Sequence, residues 1–145
     1  MQDTALEDIL FYWIDRTNKR LRQYSQQAFK KHGFDITVDQ WLVLKRVSDS
    51  DGAANQSELA ELVAKDNASV TRILDHLVKK DLVVREPNPQ DRRSFVITMT
   101  HKGKAYYERI LPVVKDLRKQ GIKDIDRAGI EQVKQVLDQI YQNMS

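Results

Sequence analysis

The chain of 145 residues has no cysteine. That absence removes disulfides, thiolate metal sites, thiol redox sensing and cysteine nucleophiles together, and it fits a cytoplasmic protein. Long apolar runs are missing too. No stretch approaches the ~20 consecutive apolar residues that a membrane-crossing helix needs. The opening segment, MQDTALEDILFYW, carries acids where a secretion leader carries a basic patch, so no leader is expected. Glycine is scarce: five residues, scattered at turns, with no phosphate-cradling loop among them. The three histidines, His32, His76 and His101, lie on separate predicted elements without close ligand spacing. No Ser/His/Asp set stands out. The sequence therefore predicts no enzyme, no metal and no cofactor.

What is present reads as one globular domain over residues 1–145, long enough to bury a core. The net charge of +3 is small but unevenly placed. Residues 1–64 carry 8 Lys+Arg against 10 Asp+Glu. Residues 65–104 carry 9 against 5, and residues 105–145 carry 7 against 6. The middle stretch thus has a local excess of four positive charges, which attracts polyanions. Charge alone is equally compatible with a solvated basic face, so the elements that carry it must decide.

Residues 4–31 predict one long helix, with Leu6, Ile9, Leu10, Trp13, Ile14, Leu21, Tyr24, Ala28 and Phe29 recurring at three- and four-residue steps. Its apolar stripe is wide for a small domain. Either the helix is an ordinary core element or part of that stripe meets a second subunit. Thr37-Val-Asp-Gln40 has the form of a capping box and opens a second helix, with Trp41, Leu42, Leu44 and Val47 as its buried face. Asn55-Gln-Ser-Glu58 is a second such box, opening a short helix over 57–64. A tight polar link then leads to a helix over about 68–80, capped by Asp66 or Asn67. Two short helices joined by about three residues form the helix-turn-helix pattern.

The second of these helices separates its faces. Val70, Ile73, Leu74, Leu77 and Val78 share one stripe, while Ser69, Thr71, Arg72, Asp75, His76 and Lys79 fall mostly on the other. Donors in the first turns of a helix lying in the major groove can reach phosphates and base edges, and Arg72 is the best candidate for a bidentate contact to guanine. Taken alone, the pattern equally suits any amphipathic helix. Next come two β-rich runs, 82–86 and 94–99, joined by a proline-bearing polar link over 87–93. They predict an antiparallel hairpin with Arg92 and Arg93 at an extended tip, where a guanidinium can enter a narrow minor groove. Helix-turn-helix plus hairpin is a winged helix. Thr100 should cap a helix over about 101–120 with a kink near Pro112, and a last helix should cover 127–143. These outer helices show no basic face and no catalytic set, and dimerisation is their expected role. The predicted fold is mainly α, with α+β character: a winged helix-turn-helix lobe over 35–100 and helical dimerisation segments over 1–34 and 101–145.

The run Asp91-Arg92-Arg93-Ser94-Phe95-Val96-Ile97-Thr98-Met99-Thr100-His101-Lys102-Gly103 resembles the wing signature of the MarR family, the multiple antibiotic resistance regulators. The matching positions are Asp91, Arg93, Ile97, Met99, Thr100 and Gly103. Gln56-Ser57-Glu58-Leu59-Ala60 and Asn67-Ala-Ser-Val-Thr-Arg-Ile-Leu74 are similar to that family's helix-turn-helix, and the order of helices fits over nearly the whole chain. The resemblance implies a homodimeric transcription regulator, usually a repressor, on a palindromic double-stranded DNA operator. On the matched positions it implies Arg93 as the minor-groove arginine and Asp91 as the residue that orients it through a charge pair. Ser57, Asn67, Ser69, Thr71, Arg72, His76, Lys79 and Arg92 complete the candidate DNA-contacting set. It also implies release by a small aromatic or phenolic effector, for which Tyr12, Trp13 and Trp41 offer stacking faces and Arg16 a cation; the same aromatics also read as core or interface. The alternative function is a winged-helix protein-interaction module without direct DNA binding.

Overall fold

The computed structural model describes residues 1–63 and 66–145. Among them six α-helices and three short strands follow one another, after a 3₁₀ turn at Leu6–Asp8, as α1 (Leu10–Lys31), α2 (Val38–Asp49), β1 (Ala54–Asn55), α3 (Gln56–Val63), α4 (Asn67–Lys79), β2 (Val83–Asn88), β3 (Asp91–Met99), α5 (His101–Gly121) and α6 (Arg127–Asn143). Among the described residues no helix is long and apolar enough to cross a membrane. By compactness the chain divides into two units, Met1–Val114 and Lys115–Ser145.

The first unit contains the winged helix. Leu44 of α2, Leu59 of α3, Val70, Leu74 and Leu77 of α4, Leu82 beside β2 and Ile97 of β3 are all fully or almost fully buried. Removing each such side chain from water stabilises the fold by about 1.5–3 kcal/mol before the entropy of ordering it is subtracted. The sheet order is β1-β3-β2, all antiparallel, with Ala54 opposite Ile97 and Val83 opposite Met99. Local signals place the helices well. Thr37 Oγ1 accepts the Gln40 N–H at 3.1 Å and the Gln40 side chain accepts the Thr37 N–H at 3.2 Å, the reciprocal box expected. Asn55 Oδ1 accepts the Glu58 N–H at 3.0 Å, the forward half of the second box. That helix ends at Val63 among the described residues, and the last position expected for it, 64, lies outside them.

Four expectations are corrected. The single helix over 4–31 is interrupted at Ile9, whose extended backbone (φ −93°, ψ 116°) separates the 3₁₀ turn from α1. The apolar repeat crosses this break because a 3₁₀ turn and an α-turn present neighbouring side chains similarly. Strand β1 is an addition to the expected elements; two residues are too short for a period-2 signal. Val78, placed on the apolar stripe of α4, is exposed, whereas Val43 of α2 is fully buried. The hairpin strands run through residues assigned to the link, leaving only Pro89 and Gln90 between the paired Asn88 and Asp91. Pro87 is tolerated because β2 is an edge strand, where a missing N–H costs no ladder bond.

The junction between α4 and α5 explains two residues of the wing signature. Asp81 turns the chain in the left-handed region (φ 58°). Thr100 Oγ1 donates to the Asp81 carbonyl and accepts the Gly103 N–H at 2.9 Å, so one hydroxyl holds the turn and caps α5. A Cβ on Gly103 would lie 2.0 Å from the Leu82 carbonyl oxygen, a contact that only glycine avoids. Pro112 sits within α5 without ending it. In the second unit, Asp126 Oδ1 accepts the Gly129 N–H at 2.7 Å and starts α6 at the expected place.

Candidate nucleic-acid interface

The first turns of α4 carry most of the candidate contacts. Asp66 Oδ1 accepts the Ser69 N–H at 2.7 Å and caps the helix. Arg72, exposed, donates from Nη2 to Ser69 Oγ at 3.1 Å, which holds a forked cation and a hydroxyl side by side. Asn67, His76 and Lys79 are exposed along the same helix, and Ser57 is exposed near the start of α3.

Thr71 stands apart from these. Its hydroxyl donates to the Asn67 carbonyl at 2.8 Å and accepts from Gln56 Nε2 at 2.8 Å. A hydroxyl so engaged joins α4 to the start of α3 and has already given up its one proton. Arg85, on β2, donates from Nη2 to Asp75 Oδ1 at 2.7 Å and lies 3.4 Å from the Thr71 carbonyl. The wing is therefore joined to α4 by an ion pair and a longer second contact. Sequence reasoning missed both Gln56 and Arg85. For Arg85 a signal existed: it follows the buried Val83 by two positions, so it faces the same side of the strand and a cation there needs a partner.

The wing tip is held by its own side chains. The register slips between Pro87 and Asn88, so that Arg92, Arg93 and Ser94 are extra residues on β3 between the pairs Asn88–Asp91 and Pro87–Phe95. Such a bulge re-aims side chains away from the flat ladder. Asn88 Nδ2 donates to Ser94 Oγ at 3.1 Å, and Asn88 Oδ1 accepts the Gln90 N–H at 3.0 Å. Asp91 Oδ1 accepts the Arg93 backbone N–H at 3.0 Å. Asp91 thus fixes the backbone that presents Arg93, in place of the expected charge pair with its guanidinium. A carboxylate reaches an N–H two residues on more easily than the end of a four-bond side chain aimed outward. Arg92 and Arg93 are both exposed.

Three of the four expected effector residues, Tyr12, Trp13 and Arg16, meet on α1, while Trp41 is held among other aromatics. Tyr12 and Trp13 meet edge to face at 5.7 Å, and the Arg16 guanidinium lies 4.9 Å from the Trp13 ring centre. Trp41 is buried, stacked on Tyr107 at 5.4 Å and tilted against Phe29 at 6.4 Å. An open cavity of about 470 Å³ lies between the end of α2, the turn at Asp51–Gly52, the end of β3 and the first turns of α5; none of the four residues lines it. Among the described residues no group of three or more His, Cys, Asp or Glu is placed to hold a metal ion.

A helix-turn-helix whose second helix and wing expose forked cations together is the arrangement of a DNA-binding transcription regulator. Comparison with known proteins agrees. The family model described as "MarR family" matches residues 36–95. An uncharacterised HTH-type transcriptional regulator of Bacillus cereus is 30% identical over 112 residues, which cover 77% of this chain and 72% of the relative. The HTH-type transcriptional repressor NicR of Pseudomonas putida is 29% identical over 82 residues, covering 57% of this chain and 51% of NicR. Among solved structures, a mutant MarR from E. coli complexed with operator DNA superposes with a TM-score of 0.80 at 27% identity, covering 96% of this chain and 99% of that one. The chain belongs to the MarR family. It is accordingly a DNA-binding regulator of transcription and not an enzyme.

Proposed function

We propose that the protein is a cytoplasmic homodimeric repressor that binds a palindromic operator and leaves it when a small aromatic or phenolic effector binds. Residues 35–100 form the reading lobe, and residues 1–34 and 101–145 pair two copies. The first turns of α4 enter the major groove with Ser69 and Arg72 foremost, flanked by Ser57, Asn67, His76 and Lys79, while Thr71 keeps the helix seated on α3. Arg93 enters the adjacent minor groove, with Arg92 beside it on the backbone and Asp91 holding the strand.

The observation that carries this reading is the built wing tip: the bulge on β3 and the Asn88, Ser94 and Asp91 bonds leave two guanidinium groups exposed together. Repression is supported by the similarity to NicR, a repressor by name. The half-buried Tyr12 with the exposed Trp13 and Arg16 on α1 offers an aromatic acid both a stacking face and a cation.

The test is a binding titration on a duplex selected by the protein from random DNA, repeated at several salt concentrations. Affinity should fall steeply with salt as counterions are released. Arg93→Ala should weaken binding by ~1–3 kcal/mol, with an unchanged melting temperature. Full affinity in that variant would remove Arg93 from the interface.

A further inference from the structure

We propose that Arg85 is a positioning residue that sets the wing against the recognition helix, and that operator discrimination depends on its pairing with Asp75. The inference rests on the proposed reading surface of α4 and the wing.

Asp75 lies on the outer face of α4, with its side chain 60% exposed, one turn beyond Arg72. An acid there repels a phosphate backbone, and by itself it opposes DNA binding. It is retained next to a cation that reaches it from another element. Arg85 belongs to β2, its side chain is 25% exposed, and its Nη2 lies 2.7 Å from Asp75 Oδ1. The same nitrogen faces the Thr71 carbonyl, and the Thr71 hydroxyl is in turn held by Gln56 of α3. The chain β2–Arg85–α4–Thr71–Gln56–α3 therefore joins all three parts of the reading head through directed polar contacts. Burial does not do this at the outer end: Leu82, Val83 and Ile97, which pairs with Arg85, fix the hairpin in the core up to that rung, but Glu86, Pro87 and Phe95 beyond it are exposed. A hairpin fastened only at its base can swing, and a swing changes the distance between wing and helix. Reading two grooves at once requires that distance to be fixed before binding.

Positioning and plain electrostatics predict different results for Asp75→Asn. This substitution removes a negative charge from the reading face and releases Arg85. If charge alone mattered, the selected duplex and a scrambled duplex of the same composition would both be bound more tightly, by the same factor. If the pair sets the wing, the scrambled duplex is bound as tightly as before or more so, while the ratio of selected to scrambled affinity falls. Arg85→Lys conserves the charge but loses the planar fork that a carboxylate matches.

The experiment is a titration of wild type, Asp75→Asn and Arg85→Lys on both duplexes at two salt concentrations, with melting temperatures recorded. The expected result is a fall of about tenfold in the affinity ratio for both variants, the order of one charge-assisted hydrogen bond, without loss of binding to the scrambled duplex. An unchanged ratio in both variants overturns the proposal. So does a parallel loss on both duplexes accompanied by a lower melting temperature, which would make the pair a matter of folding alone. A wild type that fails to distinguish the two duplexes overturns the operator reading itself, and this inference with it.

Discussion

Helices α4 and α6 start from the same local chemistry and meet different surroundings. Each opens on an aspartate whose carboxylate accepts an N–H three residues on, at 2.7 Å in both. Each carries an apolar stripe at helical spacing. In α4 that stripe finds partners within the chain: Val70, Leu74 and Leu77 are fully buried. In α6 it does not: Val133, Val136, Leu137 and Tyr141 are 56%, 46%, 42% and 59% exposed. Helix α1 resembles α6, with Leu10, Phe11, Trp13, Leu21 and Tyr24 exposed and only Ser25 and Phe29 buried. The difference teaches that amphipathicity states a need for a partner without saying which molecule supplies it. On the proposed dimeric reading, a second copy of the chain covers this apolar surface.

The largest expected effect comes from breaking that pairing. Val136→Asp combined with Leu137→Asp places two charges in the α6 stripe. The chain should become monomeric by light scattering, and operator affinity should fall by roughly 10²–10⁴-fold, the advantage of binding two half-sites at once. A variant that remains dimeric would show that α6 is not the joining surface.

Truncations sharpen the same contrast. Leu74→Ala opens a cavity in the lobe and should cost about 2–5 kcal/mol in chemical denaturation. Leu137→Ala, measured at a concentration where the chain is monomeric, should cost less than about 0.5 kcal/mol. Equal costs would mean that α6 is as much a part of the intrachain core as α4.

The last effect, a gain in stability where the others are losses, falls at Tyr106 of α5. Its ring meets Phe34 edge to face at 5.4 Å and carries the Arg109 guanidinium at 5.6 Å, while its buried hydroxyl has no hydrogen-bond partner among the described residues. Burial pushes the phenol above its ordinary value of 10.0; the nearby Asp35 adds to the shift and Arg109 opposes it. A raised folded value means that the unfolded chain ionises first. Stability therefore holds below the ordinary value and falls as pH climbs from there towards the raised one. Tyr106→Phe should add about 1 kcal/mol by removing the unpartnered hydroxyl, and it should flatten that alkaline decline. A destabilised variant would reveal a hydrogen bond to the phenol.

Much of this fold was legible in the residues because local chemistry dictates it. The Thr37–Gln40 box, the Asp66 cap and the Thr100 cap each need only a side chain and an N–H three positions away, and each stands where the spacing put it. The break at Ile9, the two-residue β1 and the bulge at Arg92–Ser94 were not legible. Each is decided by what the backbone packs or pairs against elsewhere, which no periodicity encodes. The reading surface divides the same way. Arg72 and Arg93 stand out by residue type and position. That Thr71 turns its hydroxyl inward to Gln56, and that Arg85 reaches across to Asp75, depends on the placement of three separate elements.

One measurement bears most directly on a reading head presented twice: a footprint of the wild-type protein on its selected duplex, with the number of chains bound counted in the same complex. Two protected half-sites about one helical turn apart, occupied by two chains, is the expected result. A single protected patch holding one chain would contradict it.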